Sequence, residues 1–290
     1  MLRRGPDFFM RINSAPTVLL LGIALTRGIM YPEPMIGRGV GYGFSTARDA
    51  IARGLVKCRV TPNALTLAGG AITAGAGVCY ALGVGRGEYA FLVWAAVLLI
   101  MASACDMLDG AVARIGGKSS VFGEFLDSTI DRFSDFAIYA GIAIGYASLP
   151  TANLTFVLLA MFSFFNAITI SYAKARAENL IESCPVGYWQ RGERSAAVLI
   201  ATFSNNIPAL LVQQAILPIF TILRRMLYTK AITEGKDVIT DPRKGGLWLK
   251  LHLWYWPRMS LQYDFVTGVN IAWLIFAPIA AYDLIGQWLR

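Results

Sequence analysis

Four aspartates, Asp106, Asp109, Asp127 and Asp131, crowd into one short stretch of a chain that has 18 acidic residues in 290. They follow directly on the apolar run AFLVWAAVLLIMASAC. On a helix, residues three or four apart share a face. Asp106 and Asp109 are spaced i, i+3, and Asp127 and Asp131 i, i+4, so each pair is aimed in one direction. Gly116 and Gly117 lie between the pairs and let two helices turn back antiparallel, which brings all four carboxylates toward one point. Ionised carboxylates at close range in a low dielectric repel, and burying them bare is expensive. Either some are protonated or cations sit between them. Hard divalent ions with oxygen ligands answer this requirement, and Mg²⁺ commonly binds through carboxylates plus substrate phosphates. Two such ions, Mg²⁺ with Mn²⁺ as the alternative, would form a phosphate-activating clamp.

Small residues flank the acids. Gly110 follows Asp109, Ala113 comes one turn later, and Gly123 stands four before Asp127. They clear side-chain bulk from the same face. Arg114 adds a bidentate donor suited to phosphate. Together these residues describe a site for a diphosphate ester. A second cluster is cationic: Ser171, Lys174 and Arg176 close one helical segment, Arg191 and Arg194 open the next, and Arg224 and Arg225 close the one after. Cations beside a metal–carboxylate site favour an anionic acceptor such as a phosphorylated alcohol.

These residues need a membrane scaffold. Hydrophobic residues make up 56% and charged residues 15% of the chain, and mean hydropathy is +0.53. A soluble domain would be about a quarter charged. The net charge of +8 sits between apolar segments, which suits anionic lipid and cytoplasmic loops rather than nucleic acid. The four cysteines show no C-x-x-C spacing, which argues against a disulfide or zinc framework. Six apolar or amphipathic segments, at about 62–83, 88–114, 121–147, 152–178, 190–206 and 208–228, read as helices. The first is rich in Gly and Ala, which lets neighbouring helices approach closely. Every basic cluster falls on one side of this layout, so both ends of the unit are expected in the cytoplasm.

The expected fold is all-α: a polytopic bundle of six transmembrane helices, with one or two extra spans at the termini. Residues 44–59 should form an amphipathic surface helix, capped by Ser45 or Thr46. Residues 1–43 form an N-terminal extension, interfacial or helical; 44–228 the transmembrane domain; and 229–290 a C-terminal extension. That extension combines an aromatic interfacial stretch with a run, 266–289, long enough for a seventh span.

The motif as it stands is D-x-x-D-G-x-x-A-R, eight residues, then G-x-x-x-D-x-x-x-D. It resembles the signature of the CDP-alcohol phosphotransferase family at all its fixed positions, and the likeness spreads over roughly 44–228, including TPNALT at Thr61–Thr66. The resemblance implies a membrane enzyme whose donor is a CDP-linked lipid such as CDP-diacylglycerol. An acceptor hydroxyl would attack the β-phosphorus and CMP would leave. Carried over by position, Asp106, Asp109, Asp127 and Asp131 would bind metal, with Asp131 as general base. Gly110, Ala113, Arg114 and Gly123 would hold the nucleotide and its phosphates, and Pro62, Asn63 and Thr66 would border the cytidine. SYAKARAE, GERS and GKSSVFGEFLDSTIDR look like the branch that makes phosphatidylinositol phosphate. In that branch Ser171, Lys174, Arg176, Arg194 and Arg225 would surround the acceptor phosphate. Family likeness also implies a homodimer and a cytoplasmic active site.

Other readings stay open at this stage. Glycerol 3-phosphate is equally anionic, so phosphatidylglycerophosphate synthesis is the close rival. Intramembrane carboxylates also mark transporters. Arg191, Arg224 and Arg225 have topology anchoring as an alternative role. Glu124 and Asp135 read as peripheral support, and His252 as an interfacial histidine.

Overall fold

A computed structural model describes residues 35–235, 254, 256, 258 and 260–289. The N-terminal segment before residue 35, most of the aromatic stretch and His252 lie outside the described residues. The described residues are helical and contain no strand. In chain order the helices are α1 (Met35–Lys57), α2 (Pro62–Gly83), α3 (Tyr89–Ile115), α4 (Val121–Ala147), α5 (Leu154–Glu178), α6 (Arg191–Phe203), α7 (Ile207–Thr233), α8 (Leu261–Phe276) and α9 (Leu284–Leu289). Two compact units divide between Ile51 and Ala52. In the first, Arg48 pairs with Asp49 at 2.7 Å.

Four of these helices, α2, α3, α5 and α7, are long and apolar enough to cross a membrane, and the chain is an integral membrane protein. α4 is as long as α3 but carries Glu124, Asp127, Asp131 and Arg132 in its N-terminal half and Asp135 just past its middle. Large apolar side chains such as Trp94, Ile100, Phe133, Phe162 and Phe220 point outward, as lipid-facing positions do.

Local chemistry explains where the helices start. Thr61 Oγ1 accepts from the Ala64 amide, and Pro62 holds the first helical position of α2. Ser120 Oγ accepts from the Gly123 amide at 3.0 Å and opens α4. Each such cap satisfies an amide that has no intrahelical partner. α3 ends in a turn in which Lys118 N donates to Ala113 O at 2.9 Å and Gly117 N to Arg114 O at 3.4 Å. Gly117 sits at φ +61°, a left-handed conformation that favours glycine. This turn reverses the chain and returns it as α4, which packs against α2 as α3 does.

The bundle is tied by contacts between backbones and by buried polar groups. α2 is packed mainly between α3 and α4, and α5 between α4 and α7. At the α2–α4 crossing, a Cβ built on Gly77 would strike the Ala137 carbonyl, and one on Gly141 would strike the Gly77 backbone. Only small residues permit so close an approach. Tyr80 and Thr202 hydroxyls meet at 2.5 Å and join α2 to α6. α7 runs through Pro218, which removes the amide that would have bonded to the Gln214 carbonyl. Asn166 of α5 makes good that loss: its Nδ2 donates to Gln214 O at 3.0 Å and to Ala215 O at 2.8 Å.

Two expectations are corrected. Ser45 and Thr46 do not cap a helix that starts near residue 44, because α1 already begins at Met35. No proline interrupts residues 35–61, so nothing there forces a start as late as Ser45. The run 266–289 does not form one continuous span: α8 stops at Phe276, residues 277–283 are irregular, and α9 is short. Pro278 is the cause. It holds Ala277 extended, at φ −68° and ψ 120°, and cannot supply the next helical hydrogen bond.

Candidate active site

The last turns of α3 carry Asp106 and Asp109, the first turns of α4 carry Asp127 and Asp131, and the turn at Gly117 brings the two helix ends together. One carboxylate oxygen each from Asp106, Asp127 and Asp131 lies within 4.8 Å of the others. Asp109 stands apart from this trio. It is buried and accepts a hydrogen bond from the Thr66 hydroxyl of α2 at 2.6 Å. All four acids, with Thr66, line a single cavity of about 410 Å³ between α2, α3, α4 and α6.

α6 contributes the opposing charge. Arg191 Nη1 lies 2.9 Å from Asp106 Oδ1, and Nη2 pairs with Asp131 Oδ1. A guanidinium is therefore seated among the same carboxylates that would hold a metal ion. Arg194 is 4% exposed and reaches Asp135 Oδ2 at 3.2 Å through Nη2. Its Nε and Nη1 are buried without a hydrogen-bond partner among the described residues. Arg194 and Asp135 both line the cavity. A buried guanidinium with donors left over is a receptor for an anion.

The remaining candidates divide. Gly123 abuts Asn63: a Cβ there would lie 3.4 Å from Asn63 Oδ1 and 3.1 Å from Ser120 Oγ. At Gly110 a Cβ would meet only Arg114 Nη1, at 3.4 Å. Pro62, Asn63, Gly110, Ala113, Arg114 and Gly123 thus lie along the helix ends beyond the cavity rather than in its wall. Among the acceptor candidates, only Arg194 lines it. Ser171 lines a separate apolar groove with Phe133, Phe136 and Tyr172. Lys174 faces Glu178 at 3.8 Å, and Arg176 is exposed. Arg225 is spent on backbone, donating to the Ile170 carbonyl at 2.5 Å and the Val186 carbonyl at 3.3 Å. Helix-end cations share a depth by sequence, but only helix azimuth decides which of them face the acids.

Sequence reasoning left two participants out of the site. Arg191 stood in the cationic cluster with topology anchoring as its alternative and was given no site role, yet it touches two of the aspartates. Asp135 looked peripheral, yet it orients Arg194. Its signal was present, since Asp135 continues the i, i+4 series of Asp127 and Asp131.

Comparison with known proteins identifies the family. Residues 59–232 match the family model of the CDP-alcohol phosphatidyltransferases. An archaetidylinositol phosphate synthase of Pyrococcus horikoshii is 35% identical over 191 residues, which is 64% of this chain and 92% of that protein. A phosphatidylinositol phosphate synthase of Cutibacterium acnes is 34% identical over 162 residues, 55% of this chain and 73% of that one. Among solved structures, Mycobacterium tuberculosis phosphatidylinositol phosphate synthase with CDP-DAG bound superposes with a TM-score of 0.56 at 29% identity, over 63% of this chain and 92% of that one. The same enzyme in complex with manganese and citrate gives 0.55 at 28% identity, over 63% and 88%. The aspartate motif, the helical scaffold that folds it into one cavity, and the match over most of that scaffold converge: the chain belongs to the CDP-alcohol phosphatidyltransferase family of membrane transferases.

Proposed function

We propose that this enzyme transfers a phosphatidyl-type group from a CDP-linked lipid to a hydroxyl of inositol phosphate, releasing CMP. The observation that carries the reading is Arg194, buried in the wall of the aspartate cavity with two of its donor nitrogens unpartnered. That arrangement asks for an anionic acceptor beside the reacting phosphates. The names of the relatives, archaetidylinositol phosphate and phosphatidylinositol phosphate synthases, support the same acceptor. Glycerol 3-phosphate is the runner-up because it offers the same charge.

The donor set fits a hard divalent ion: it is all oxygen, and three of its oxygens lie within 4.8 Å of one another. The Arg191 guanidinium among them marks the place as one that holds positive charge. Asp106, Asp127 and Asp131, with Asp109 beside them, would hold Mg²⁺ or Mn²⁺, in the two-ion arrangement. Bound there, the ions would offset the charge of the donor diphosphate and polarise its β-phosphorus. Asp131 takes the proton of the acceptor hydroxyl. The acceptor oxygen forms a bond to the β-phosphorus, the bond from that phosphorus to the bridging oxygen breaks, and CMP departs with the electron pair. Thr66 holds Asp109 in orientation, and Arg194 binds the acceptor phosphate. Gly110, Ala113, Arg114 and Gly123, with Pro62, Asn63 and Thr66, would form the nucleotide end. Their support is the close approach of Asn63 to Gly123 and the hydrogen bond from Thr66 to Asp109.

The architecture we infer is a six-span bundle, α2 to α7, within a transmembrane domain of residues 44–228. The C-terminal half of α1 would lie on the membrane surface. Residues 1–43 and 229–290 would be extensions, the active site would face the cytoplasm, and the enzyme would be a homodimer. The grouping of basic residues at one end of the helices supports the orientation.

The test is purified enzyme in detergent with Mg²⁺, CDP-diacylglycerol and, in separate arms, inositol phosphate, glycerol 3-phosphate, inositol and serine. CMP release and product mass are read. Lipid product with inositol phosphate is expected. Product with glycerol 3-phosphate alone would shift the acceptor, and no CMP in any arm would overturn the reading.

A further inference from the structure

The family match ends at residue 232, but the chain continues and returns to the active-site helix. On α6, Glu193 lies between Arg191 and Arg194, and its side chain is 8% exposed. Its Oε1 accepts from Arg258 Nη2 at 2.8 Å, from Arg258 Nε at 3.1 Å and from the Tyr263 hydroxyl at 2.5 Å. Both donors belong to the C-terminal extension. Arg258 also covers Gly192, where a Cβ would lie 3.6 Å from Nη2. The Glu193 carboxylate holds the Arg258 guanidinium above its ordinary value.

The extension is seated as well as bonded. The Tyr188 ring, just before α6, meets Trp254 at 5.3 Å and Tyr263 at 5.4 Å, and its hydroxyl pairs with Thr267 at 3.0 Å. Further along, Gln213 donates to Asn270 Oδ1 at 2.9 Å, and Asn206 to the Ala277 carbonyl at 2.9 Å. Gly192 and Ala196 line both the aspartate cavity and a second cavity beneath α8. The wall between the catalytic cavity and the extension is therefore a single helix thick, and it carries the two arginines that face the acids.

We propose that Arg258 and Tyr263 are positioning residues for the acceptor: by gripping Glu193 they fix the first turn of α6, and through it the placement of Arg191 and Arg194 in the catalytic cavity. The proposal rests on the assignment of Arg194 to the acceptor phosphate. Arg258 and Tyr263 touch no substrate; they act only through Glu193. A bidentate guanidinium and a phenol converging on one carboxylate oxygen leave that side chain little rotational freedom. The backbone of α6 then cannot roll to carry Arg194 away from Asp135. In this chain the extension becomes part of acceptor selection.

The experiment measures initial rates of the full-length enzyme against inositol phosphate at saturating CDP-diacylglycerol, and the converse, for wild type, Glu193→Gln, Tyr263→Phe, Arg258→Ala and Arg258→Lys. Wild-type turnover establishes the underlying reaction before any variant is judged, so loss of that reaction and loss of this inference are read separately. For Glu193→Gln and Arg258→Ala the acceptor KM should rise about tenfold, the scale of one lost charge-assisted hydrogen bond. Tyr263→Phe should raise it less, and Arg258→Lys should restore part of the loss. The donor KM should stay within about twofold of wild type, because the donor is held through the aspartates of α3 and α4 and not through Arg194. Combining Glu193→Gln with Arg258→Ala should add little to either change alone, since both break one contact. An unchanged acceptor KM would overturn the proposal. So would donor and acceptor KM rising together with a fall in melting temperature, which marks general loosening.

Discussion

Asp131 is the residue on which the chemistry turns. It lines the cavity, pairs with Arg191 and stands among the acids that would hold metal. Asp131→Asn keeps its shape and removes its basicity, so turnover should drop by a factor of about 10² to 10⁴, the usual worth of a positioned base. Thermal melting in detergent should stay close to wild type; activity within a few-fold of wild type would remove the assignment. Arg191→Gln tests the charge balance by a readout other than activity. With EDTA present, Asp106 and Asp131 lose their nearest guanidinium, and the variant should melt lower by the equivalent of about 1–2 kcal/mol. Mg²⁺ should narrow that gap, and an equal deficit with and without Mg²⁺ would argue against a cation site there. The aspartates were legible in the sequence because i, i+3 and i, i+4 spacing is local information. Arg191 was not, because its partners are 60 and more positions away in the chain, and a helix-initial arginine looks the same whether it faces lipid headgroups or a carboxylate.

At the scale of elements, hydropathy located the helices well. The segments expected at 62–83, 88–114, 121–147 and 152–178 are α2 to α5 within a residue or two. What hydropathy could not supply is how α7 survives Pro218. Asn166 is 2% exposed and feeds the Gln214 carbonyl that the proline strands, with the Ala215 carbonyl beside it. Asn166→Ala should therefore destabilise the bundle by about 1–3 kcal/mol, the cost of a buried unsatisfied carbonyl. Pro218→Ala in the same chain should recover part of it by returning the missing amide. Melting temperatures of the two single variants and the double variant decide; strict additivity would refute the link. The starts and stops that local signals misplaced are of the same kind. Ser45 and Thr46 carry capping chemistry, but a cap works only where the preceding residues leave the helix. Pro278 ends α8 inside a run that is apolar enough to span a membrane.

For the whole molecule, one-sided basic residues predict that the α3–α4 turn faces the cytoplasm. A cysteine introduced at Lys118, in an otherwise cysteine-free chain, should react with a membrane-impermeant thiol reagent in inverted vesicles and resist it in right-side-out ones. One at Glu88 should do the reverse. The opposite pattern would invert the orientation. The family and its core scaffold were readable from the sequence because a single dense motif lies in residues 106–131. The C-terminal extension was not, since its meaning lies in contacts such as Glu193 with Arg258 that join distant stretches. The backbone contact between Gly77 and Gly141 has a mechanical consequence for all of these assignments. Thr66 and Asp131 each lie roughly 15 Å along their helices from that crossing, at about 1.5 Å of rise per residue. The two helices stay in contact from there toward the site, where a Cβ on Gly70 would strike Ile130, so they act as one splint whose end carries the Asp109 support and the base. A splay of only about 5° between the two would move their ends by more than about 1 Å, enough to spoil an in-line transfer. A single methyl group at Gly77 or Gly141 would meet backbone rather than a yielding side chain, so, far from any substrate, it should cost catalysis and folding together.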